Sequence, residues 1–322
     1  MPRPIHNSVI VITGASSGIG RATAREFAKQ RATLLLAARN ETALQEVAQE
    51  CQRLGATAVA MPTDVTNESA VQALAQRAIA SFGRIDVWVN NAAVSLFARF
   101  EEAPPSAFRQ VIETNLFGYI YGARAALPYF REQGSGNLIN VSSVVGVTGQ
   151  AYTSPYTISK YAIRGLSDSL RMELYLDNAR EIHVCTVLPG SIDTPIFQHA
   201  ANYTNRQIKA MNPVYPAKQV ADAIVGLVDK PEREIVVGQT VYLQLLQKTL
   251  APDLFEPMLA KQVDQDHFQD HKPTPQTDGN LFEPMHDYTG ISGNWLGTGG
   301  ITTQDVWDMA RETAQKIGLP LS

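Results

Sequence analysis

The sequence has few cysteines, no excess of positive charge and no long apolar run. Only two cysteines, Cys51 and Cys185, occur in 322 residues, which predicts two reduced packing thiols and argues against a disulfide framework. Lysine and arginine number 27 against 31 aspartates and glutamates, a net charge of −4, so the basic footprint of a nucleic-acid-binding protein is missing. No apolar run approaches the roughly 18 residues that predict a transmembrane helix.

The amino terminus also lacks the pattern of a secretory signal. Residues 1–7 lead directly into a short apolar stretch, without a longer hydrophobic region and a cleavage site. We therefore expect a cytoplasmic protein. The composition, with 44% hydrophobic and 18% charged residues, is typical of a globular chain of this length.

Apolar runs alternate with helical patterns through the first 240 residues. This alternation predicts an α/β fold with a parallel sheet. The predicted strands lie at 8–12, 33–38, 57–61, 85–90, 137–141, 182–188 and 234–237. The predicted helices lie at 21–30, 40–54, 67–82, 106–132, 155–177 and 217–229, with Asn67 and Ser106 as N-caps.

A glycine-rich segment, Thr13-Gly-Ala-Ser-Ser-Gly-Ile-Gly20, separates the first predicted strand from the first helix. Gly14, Gly18 and Gly20 permit a tight turn and let a pyrophosphate approach the backbone N–H groups at the helix start. The helix dipole favours negative charge at the same place. Because the glycines lie between a strand and a helix, the segment predicts a dinucleotide site.

Tyr156 and Lys160 lie four residues apart, so both project from one helix face. A phenol of pKa about 10 needs about 4 kcal/mol of selective anion stabilisation to exchange protons near pH 7. In a desolvated cleft, Lys160 and the positive nicotinamide ring of an oxidised cofactor together would stabilise the phenolate. Taken alone the pair is also compatible with an ordinary helix surface, but the glycine segment and Ser143, thirteen residues before Tyr156, favour a proton shuttle for a carbonyl or alcohol.

Together these motifs resemble the short-chain dehydrogenase/reductase family, in its compact single-domain branch. The resemblance spans about residues 8–240, and Ala93 stands where the family more often has glycine. It rests on the glycine segment, Asp64, Asn90-Asn91-Ala92-Ala93, Asn115, Ser143, the Tyr156 and Lys160 pair, Pro189-Gly190 and Thr194. The fold that it implies is a doubly wound, Rossmann-like parallel sheet of seven strands in the order 3-2-1-4-5-6-7, with helices on both faces.

The resemblance implies a catalytic set of Asn115, Ser143, Tyr156 and Lys160. Tyr156 would be the general acid and base, Ser143 would hydrogen-bond the substrate oxygen, and the counterpart of Asn115 holds a water that passes protons to the lysine. Ser142 is the competing serine, and the spacing to Tyr156 favours Ser143. As purely structural alternatives, Ser143 forms a turn and Asn115 is a tolerated surface residue of a helix.

The resemblance also implies a set of cofactor contacts. Asp64 would contact adenine or instead cap the turn before the helix at 67, and Asn91 would line the cleft or form a plain turn. Thr194 would bond the nicotinamide carboxamide, while Pro189 and Ile192 hold the ring. The predicted cofactor-binding residues are Gly14, Ser16, Ser17, Gly18, Ile19, Gly20, Arg39, Asp64, Val65, Asn91, Ala92, Tyr156, Lys160, Pro189, Gly190, Ile192 and Thr194.

The cofactor itself is predicted from the end of the second strand. Residues 34–40 contain no acidic side chain to accept the two hydroxyls of an adenosine ribose. Arg39 offers a planar fork of donors suited to a 2′-phosphate, and Ser16 adds a hydroxyl, which predicts NADP(H). Against this, Arg39 is also compatible with a solvated loop charge, and Ser17 stands where many NADP-dependent relatives have a basic residue.

Two further segments complete the chain. A mobile substrate lid is predicted over residues 191–215. The expected substrate is a bulky hydrophobic ketone or alcohol, because several apolar residues lie near the cleft, namely Leu96, Phe97, Val145 and Tyr152. We divide the chain into a catalytic domain, 1–239, and a carboxyl-terminal extension, 240–322.

The extension is predicted to be helical in part. Its apolar pattern over 241–263 predicts one or two helices broken near Pro252 and Pro257, and 303–317 predicts a last one. We expect its apolar face to cover the core, with a partner subunit and then a membrane surface as alternatives. His267 and His271 have the i, i+4 spacing of metal ligands, but no third ligand is evident, so no metal site is predicted.

The predicted function is therefore an NADP(H)-dependent oxidoreductase for a carbonyl or secondary alcohol, and the family resemblance implies a homodimer or homotetramer. The alternatives are a non-catalytic NADP-binding sensor or scaffold and a sugar-nucleotide epimerase or dehydratase. The spacing Gly14-x-x-x-Gly18-x-Gly20 argues against the epimerase branch, which usually has Gly-x-x-Gly-x-x-Gly. The presence of the whole Ser, Tyr and Lys set argues against a sensor.

Overall fold

The computed structural model of the chain describes residues 4–296, apart from the side chains of 239–243, 245 and 270–272. Its centre is a seven-stranded parallel sheet flanked by helices. The sheet strands are β1 (Val9–Thr13), β2 (Thr33–Ala38), β3 (Thr57–Pro62), β4 (Val87–Asn90), β5 (Gly136–Val141), β6 (Ile182–Pro189) and β7 (Glu234–Val237). The longer helices are α1 (Gly18–Lys29), α2 (Glu41–Arg53), α3 (Glu68–Phe82), α4 (Pro105–Ile112), α5 (Gly118–Gln133), α6 (Ser154–Leu176), α7 (Ala217–Asp229), α8 (Gln239–Leu250) and α9 (Pro252–Asp266).

The strand order is β3-β2-β1-β4-β5-β6-β7, with every neighbouring pair parallel. The predicted doubly wound sheet is thereby confirmed. All five residues of β1 are buried, because α1, α2 and α7 pack on one face of the sheet and α3, α5 and α6 on the other. The order changes direction between β1 and β4, which opens a crevice at the carboxyl ends of the strands.

The helix starts agree only partly with prediction. Asn67 is the N-cap of α3, where its side chain accepts a hydrogen bond from the Ala70 N–H. Ser106 as an N-cap is wrong, because α4 begins at Pro105, whose fixed φ suits the first helical position. The helix predicted over 106–132 is interrupted by a π-helical turn, Glu113–Phe117.

The extension begins with two helices. They are separated at Ala251, next to Pro252, as the proline pattern predicts. Pro257 does not break the second helix and lies inside α9. The buried side chains of α9 are Phe255, Leu259 and Val263, which pack with Tyr152 and Met211. The helix predicted at 303–317 lies outside the described residues.

The predicted lid, residues 191–215, is held by three short strand pairs. Ile192–Asp193 pairs with Tyr215–Pro216, and Ala201–Asn202 pairs with Leu96–Phe97. Arg206–Ile208 pairs antiparallel with Phe268–Pro273 of the extension. The lid is therefore tied both to the core and to the extension.

Cys51 and Cys185 are free and buried. Burial raises the pKa of the Cys51 thiol to about 12 and that of Cys185 to about 11, so both thiols are protonated at neutral pH and act as packing groups. Within residues 4–296, no helix is both long enough and apolar enough to cross a membrane.

Candidate active site

A cavity of about 280 Å³ opens at the carboxyl ends of the sheet strands. It extends from the glycine segment after β1, past the ends of β4, β5 and β6, to the lid and the extension. Every residue predicted to form the site lines this cavity, apart from Gly20 and Asn115. The topology thus brings together groups that are spread over about 180 residues of sequence.

The glycine segment is shaped by close backbone contacts. Gly14 has a left-handed φ of +65°, and a Cβ there would lie 2.7 Å from the Ala92 Cα. A Cβ at Gly20 would lie 2.1 Å from the Gly14 carbonyl oxygen, so only glycine fits either position. Asn91 stabilises the segment, because its Nδ2 donates to the carbonyls of Thr13 and Gly14 at 2.9 and 3.1 Å.

Helix α1 begins at Gly18 directly behind this segment. The N–H groups in the first turn of a helix have no intrahelical acceptor, and the dipole makes that end positive. This end of α1 faces the cavity through Ser17, Gly18 and Ile19, so the arrangement suits the pyrophosphate of a dinucleotide.

Three buried polar atoms that line the cavity lack a hydrogen-bond partner within the described chain: Thr114 Oγ1, Ser191 Oγ and Asn280 Oδ1. A buried polar atom without a partner is costly, so a polar ligand would satisfy them. No motif in the sequence marks any of the three. The glycine cradle and these atoms together fit a nicotinamide dinucleotide.

Tyr156 lies in the first turn of α6. Its phenol hydrogen-bonds Ser143, which is the second residue after β5. Burial raises the pKa of Tyr156 to about 12, and the Ser143 hydrogen bond only partly offsets the increase. The protein by itself therefore keeps this phenol protonated at neutral pH. A lowered pKa requires positive charge brought into the cleft, which an oxidised nicotinamide would supply.

Lys160 is 1% exposed, one turn along the same helix. Its Nζ donates to the Val141 carbonyl at 2.9 Å, lies 3.5 Å from the Tyr119 hydroxyl and is 5.3 Å from the centroid of the Tyr156 ring. Burial lowers the pKa of Lys160 to about 7. A surface role for the Tyr156 and Lys160 pair is wrong, since both side chains line the cavity.

The depressed pKa of Lys160 predicts a pH-dependent stability. Between pH 7 and about 10.4 the unfolded chain binds a proton at this lysine that the folded protein has lost, so stability rises with pH over that window. Relative to a Lys160→Met variant, the free energy of unfolding of the wild type should rise by about 3 to 4 kcal/mol between pH 7 and pH 10.

Urea unfolding of both proteins at several pH values measures this difference. The matched control is Lys218→Met, because the Lys218 side chain is 62% exposed and its pKa is raised by the hydrogen bond that it donates to Asp222. For the control, the difference from wild type should stay flat up to pH 10. Parallel profiles for wild type and Lys160→Met would show that the lysine is not strongly desolvated.

The two serines after β5 have different contacts. Ser142 donates to the Lys160 carbonyl at 2.9 Å and so holds α6. The Ser143 hydroxyl accepts from the Val145 N–H at 3.3 Å and lies 3.4 Å from the Pro189 carbonyl oxygen, so Ser143 forms a turn as well as contacting the phenol. Asn115 is fully buried in the π-helical turn, where its amide exchanges two hydrogen bonds with the Val94 backbone at 2.8 and 2.9 Å. Asn115 as a tolerated surface residue is therefore wrong. Its relay through a water stays a prediction.

Arg39 and Asp64 lie at the other end of the cavity. The guanidinium of Arg39 donates to three backbone carbonyls of the extension, those of Asn280, Leu281 and Phe282. It is part-buried, and not a solvated loop charge. Asp64 accepts hydrogen bonds from the N–H and hydroxyl of Thr66 at 2.9 and 2.8 Å, so it caps a turn and lines the cavity as well.

The opposite end of the cavity is largely apolar. Its lining there includes Phe97, Val145, Phe197, Met211 and Leu259. Leu96 and Tyr152, predicted near the cleft, are not part of the cavity lining. Leu96 is buried in the adjoining core, and the Tyr152 ring packs on Phe268. Leu259 belongs to α9, so the extension forms part of the pocket.

His267 is the main polar group in this region. Its Nδ1 donates to the Lys209 carbonyl at 3.0 Å and its Nε2 lies 2.7 Å from Gln150 Nε2. Burial lowers the pKa of His267 to about 4, so the ring is neutral and both its nitrogens have partners. Among residues 4–296, no three His, Cys, Asp or Glu side chains form a group that could hold a metal ion.

Comparison with known proteins finds similar proteins both by sequence and by structure. Residues 8–204 match the family model for the short chain dehydrogenases. An uncharacterized oxidoreductase of Bacillus subtilis, YxnA, is 36% identical over 299 residues, which are 91% of this chain and 83% of that protein.

Two solved structures resemble that of this chain. An alcohol dehydrogenase of Thermococcus sibiricus complexed with 5-hydroxy-NADP superposes with a TM-score of 0.63 and 28% identity, over 71% of this chain and 95% of that one. A short-chain dehydrogenase/reductase of Burkholderia phymatum in complex with NAD gives a TM-score of 0.69 and 25% identity, over 77% of this chain and 94% of that one.

Proposed function

This chain belongs to the short-chain dehydrogenase family, and from that premise we propose that it is an NADP(H)-dependent oxidoreductase that interconverts a carbonyl and a secondary alcohol. The observation that carries the proposal is the convergence of Ser143, Tyr156 and Lys160 on one cavity with the glycine segment. A non-catalytic sensor would not need all three side chains at the point where a substrate meets a nicotinamide.

Each side chain has a role that follows from its contacts. When bound, the cofactor supplies the hydride for reduction of the carbonyl carbon, or accepts it in the reverse direction. Tyr156 donates its phenolic proton to the carbonyl oxygen and takes it back from the alcohol. Ser143, which lies beside the phenol, turns its single hydroxyl proton to the substrate oxygen and stabilises the developing charge there. In its protonated form, Lys160 raises the positive potential near the phenolate.

The choice of NADP(H) rests on β2 and the residue after it. The end of β2 has no carboxylate, and Arg39, Ser16 and Ser17 line the same part of the cavity. An arginine fork binds a phosphate more strongly than it binds a ribose hydroxyl. One of the two structural neighbours carries an NADP derivative and the other NAD, so the family admits both cofactors.

A double substitution tests this choice. Ala38→Asp with Arg39→Leu should move preference from NADP(H) toward NAD(H), because it removes a charge-assisted pair and adds an acceptor for the ribose hydroxyls. The expected discrimination is about 2 to 3 kcal/mol, given about 1.5 to 3 for a hydrogen bond to a charged group. The measurement is the ratio of kcat/KM with NADPH and NADH, with Ala38→Asp alone as the intermediate. A wild type that uses NADH better than NADPH would overturn the assignment.

The apolar end of the cavity favours a bulky hydrophobic ketone or alcohol as substrate. The direct test of the proposed function is a panel of ketones and aldehydes, followed by the loss of NADPH absorbance. A Tyr156→Phe variant serves as the blank, because it keeps the pocket and lacks the proton donor. Consumption of NADPH that is equal in both proteins would not support carbonyl reduction by this site.

We also propose a homo-oligomer that assembles through α6. The last turns of α6 expose large apolar side chains, with Met172, Tyr175 and Leu176 at 66, 83 and 77% exposure. Contiguous exposed apolar residues of this kind mark protein interfaces.

A location in the cytoplasm stays a prediction.

A further inference from the structure

A segment of the extension that has no counterpart among the predicted motifs crosses the cofactor end of the cavity. We call residues 277–296 the strap. Thr277 exchanges two backbone hydrogen bonds with Asn202 of the lid, at 2.8 and 3.0 Å, and the Asn280 N–H donates to the His199 carbonyl at 2.9 Å. From there the strap passes over Arg39 and returns to the lid at Asp193.

The strap is anchored at both ends. At its start Leu281 is fully buried in a cluster with Leu96, Val111 and Ala201. Gly279 has a φ of +52°, and a Cβ there would lie 2.2 Å from the His199 carbonyl oxygen, so the chain turns there only with glycine.

Asp193, 2% exposed, holds the far end of the strap. Its carboxylate accepts hydrogen bonds from the Ser292 hydroxyl at 2.5 Å, the Gly293 N–H at 3.1 Å and the Trp295 N–H at 2.8 Å. Three bonds to one buried carboxylate fix this end firmly.

Between these anchors, backbone carbonyls of the strap accept hydrogen bonds from residues that line the cofactor end of the cavity. Both terminal nitrogens of Arg39 donate to carbonyls of residues 280–282. The Asn40 side chain donates to the Met285 carbonyl at 2.9 Å, and the Gly18 N–H donates to the Gly290 carbonyl at 3.0 Å. The strap therefore lies where a dinucleotide would seek the same donors.

We propose that the strap sets the cofactor preference, because its carbonyls at 280–282 compete with a 2′-phosphate for the guanidinium of Arg39. This inference rests on the proposed function, in which Arg39 faces the adenosine ribose. With the strap docked, both hydrogens of Arg39 Nη1 and one of Nη2 are donated to carbonyls, so a phosphate forms the pair through both terminal nitrogens only by displacing them.

The two cofactors then differ in what they require. NAD(H) needs nothing from Arg39, so residues 280–282 can stay docked when it binds. NADP(H) forms its phosphate pair only where residues 280–282 have moved away, and a phosphate is the stronger acceptor for that exchange. The carboxylates of Asp64 and Glu283 also act on Arg39 electrostatically, and they oppose a second anion while the strap is docked. Docking of residues 280–282 therefore lowers the affinity for NADP(H) alone, whereas the Gly18–Gly290 contact competes with the pyrophosphate of either cofactor.

A pair of neighbouring substitutions in the full chain tests the competition. Leu281→Ser removes the buried anchor, whereas Phe282→Ser changes a side chain that is 43% exposed and leaves the anchor in place. We expect Leu281→Ser to tighten NADP⁺ relative to NAD⁺ by about tenfold, the equivalent of roughly one hydrogen bond to a charged group. Phe282→Ser should leave the ratio of the two dissociation constants unchanged. In an Arg39→Gln background, the effect of Leu281→Ser should vanish.

Hydrogen exchange of the wild-type protein gives an independent readout that does not depend on activity or on the folding of a variant. The amides of 280–283 should exchange faster with saturating NADP⁺ than with saturating NAD⁺, since only NADP⁺ displaces that part of the strap. Equal protection with both cofactors would overturn the competition, as would an unchanged dissociation-constant ratio in Leu281→Ser. If Arg39→Gln leaves the dissociation constant of NADP⁺ unchanged, the assignment of Arg39 itself fails, and the strap proposal fails with it.

Discussion

Tyr156→Phe is expected to lower turnover by about 10² to 10⁴-fold while the cofactor dissociation constant stays within a few-fold of wild type. The substitution deletes the hydroxyl that hydrogen-bonds Ser143 and would protonate the substrate oxygen. It leaves the glycine segment and the start of α1 intact. Steady-state kcat and equilibrium binding of NADPH, measured on the same preparation, separate the two effects.

Two further variants provide comparisons for this loss of turnover. Tyr161→Phe removes a hydroxyl from the same helix, one that bonds the Val147 carbonyl and is not part of the cavity lining, so it should retain wild-type turnover. Lys160→Ala should damage both turnover and cofactor binding, since Lys160 is predicted both to assist Tyr156 and to bind the cofactor. A Tyr156→Phe protein with half of the wild-type activity would refute the proton-donor role.

A chain that ends at Gly238 is expected to be insoluble or dissociated, and inactive, although Ser143, Tyr156 and Lys160 all remain in it. The extension buries apolar side chains on the core and lid, with the described ones being Phe255, Leu259, Val263, Phe268 and Leu281. At about 1.5 to 3 kcal/mol for each buried side chain before ordering costs, their loss removes a large share of the driving force. It also uncovers Phe97, Tyr152 and Met211 beneath them.

Solubility on expression, sedimentation and turnover together measure this effect. Because a truncation removes many contacts at once, a matched pair in α9 refines it: Phe255→Ser should destabilise the protein, while Leu254→Ser, at a side chain 60% exposed, should not. A truncated protein that remained soluble, oligomeric and fully active would show an independent appendage. Liposome flotation of the intact chain would then test the membrane-surface alternative.

Much of the fold is predictable because it depends on local patterns. The strands at 33–38 and 234–237 and the helix at 217–229 occur where apolar periodicity predicts them, and right-handed crossovers between parallel strands leave few possible orders for the sheet. The errors come from backbone details that periodicity does not carry. The π-helical turn at 113–117 places Asn115 in the interior by adding a residue to one turn.

The extension shows the limit of such patterns. Pro257 is a helix breaker by propensity, yet α9 continues through it, with Phe255, Leu259 and Val263 of the same helix buried against the core. The roles of Thr114 and Asn280 in lining the cavity have no signal in the sequence. Each of the two residues lines the cavity only because tertiary packing brings distant segments of the chain next to it.

By itself, the sequence determines the glycine turn, the shared helix face of Tyr156 and Lys160, and the strand ends that bring these groups to one edge of a parallel sheet. These features follow from spacings of a few residues and from the regular geometry of helix and strand. Only the tertiary structure decides the electrostatic state of Lys160, because desolvation depends on everything packed around it. Only the tertiary structure decides the partners of Arg39, since the carbonyls that it binds lie 241 to 243 residues further along the chain, and no local rule relates positions so far apart.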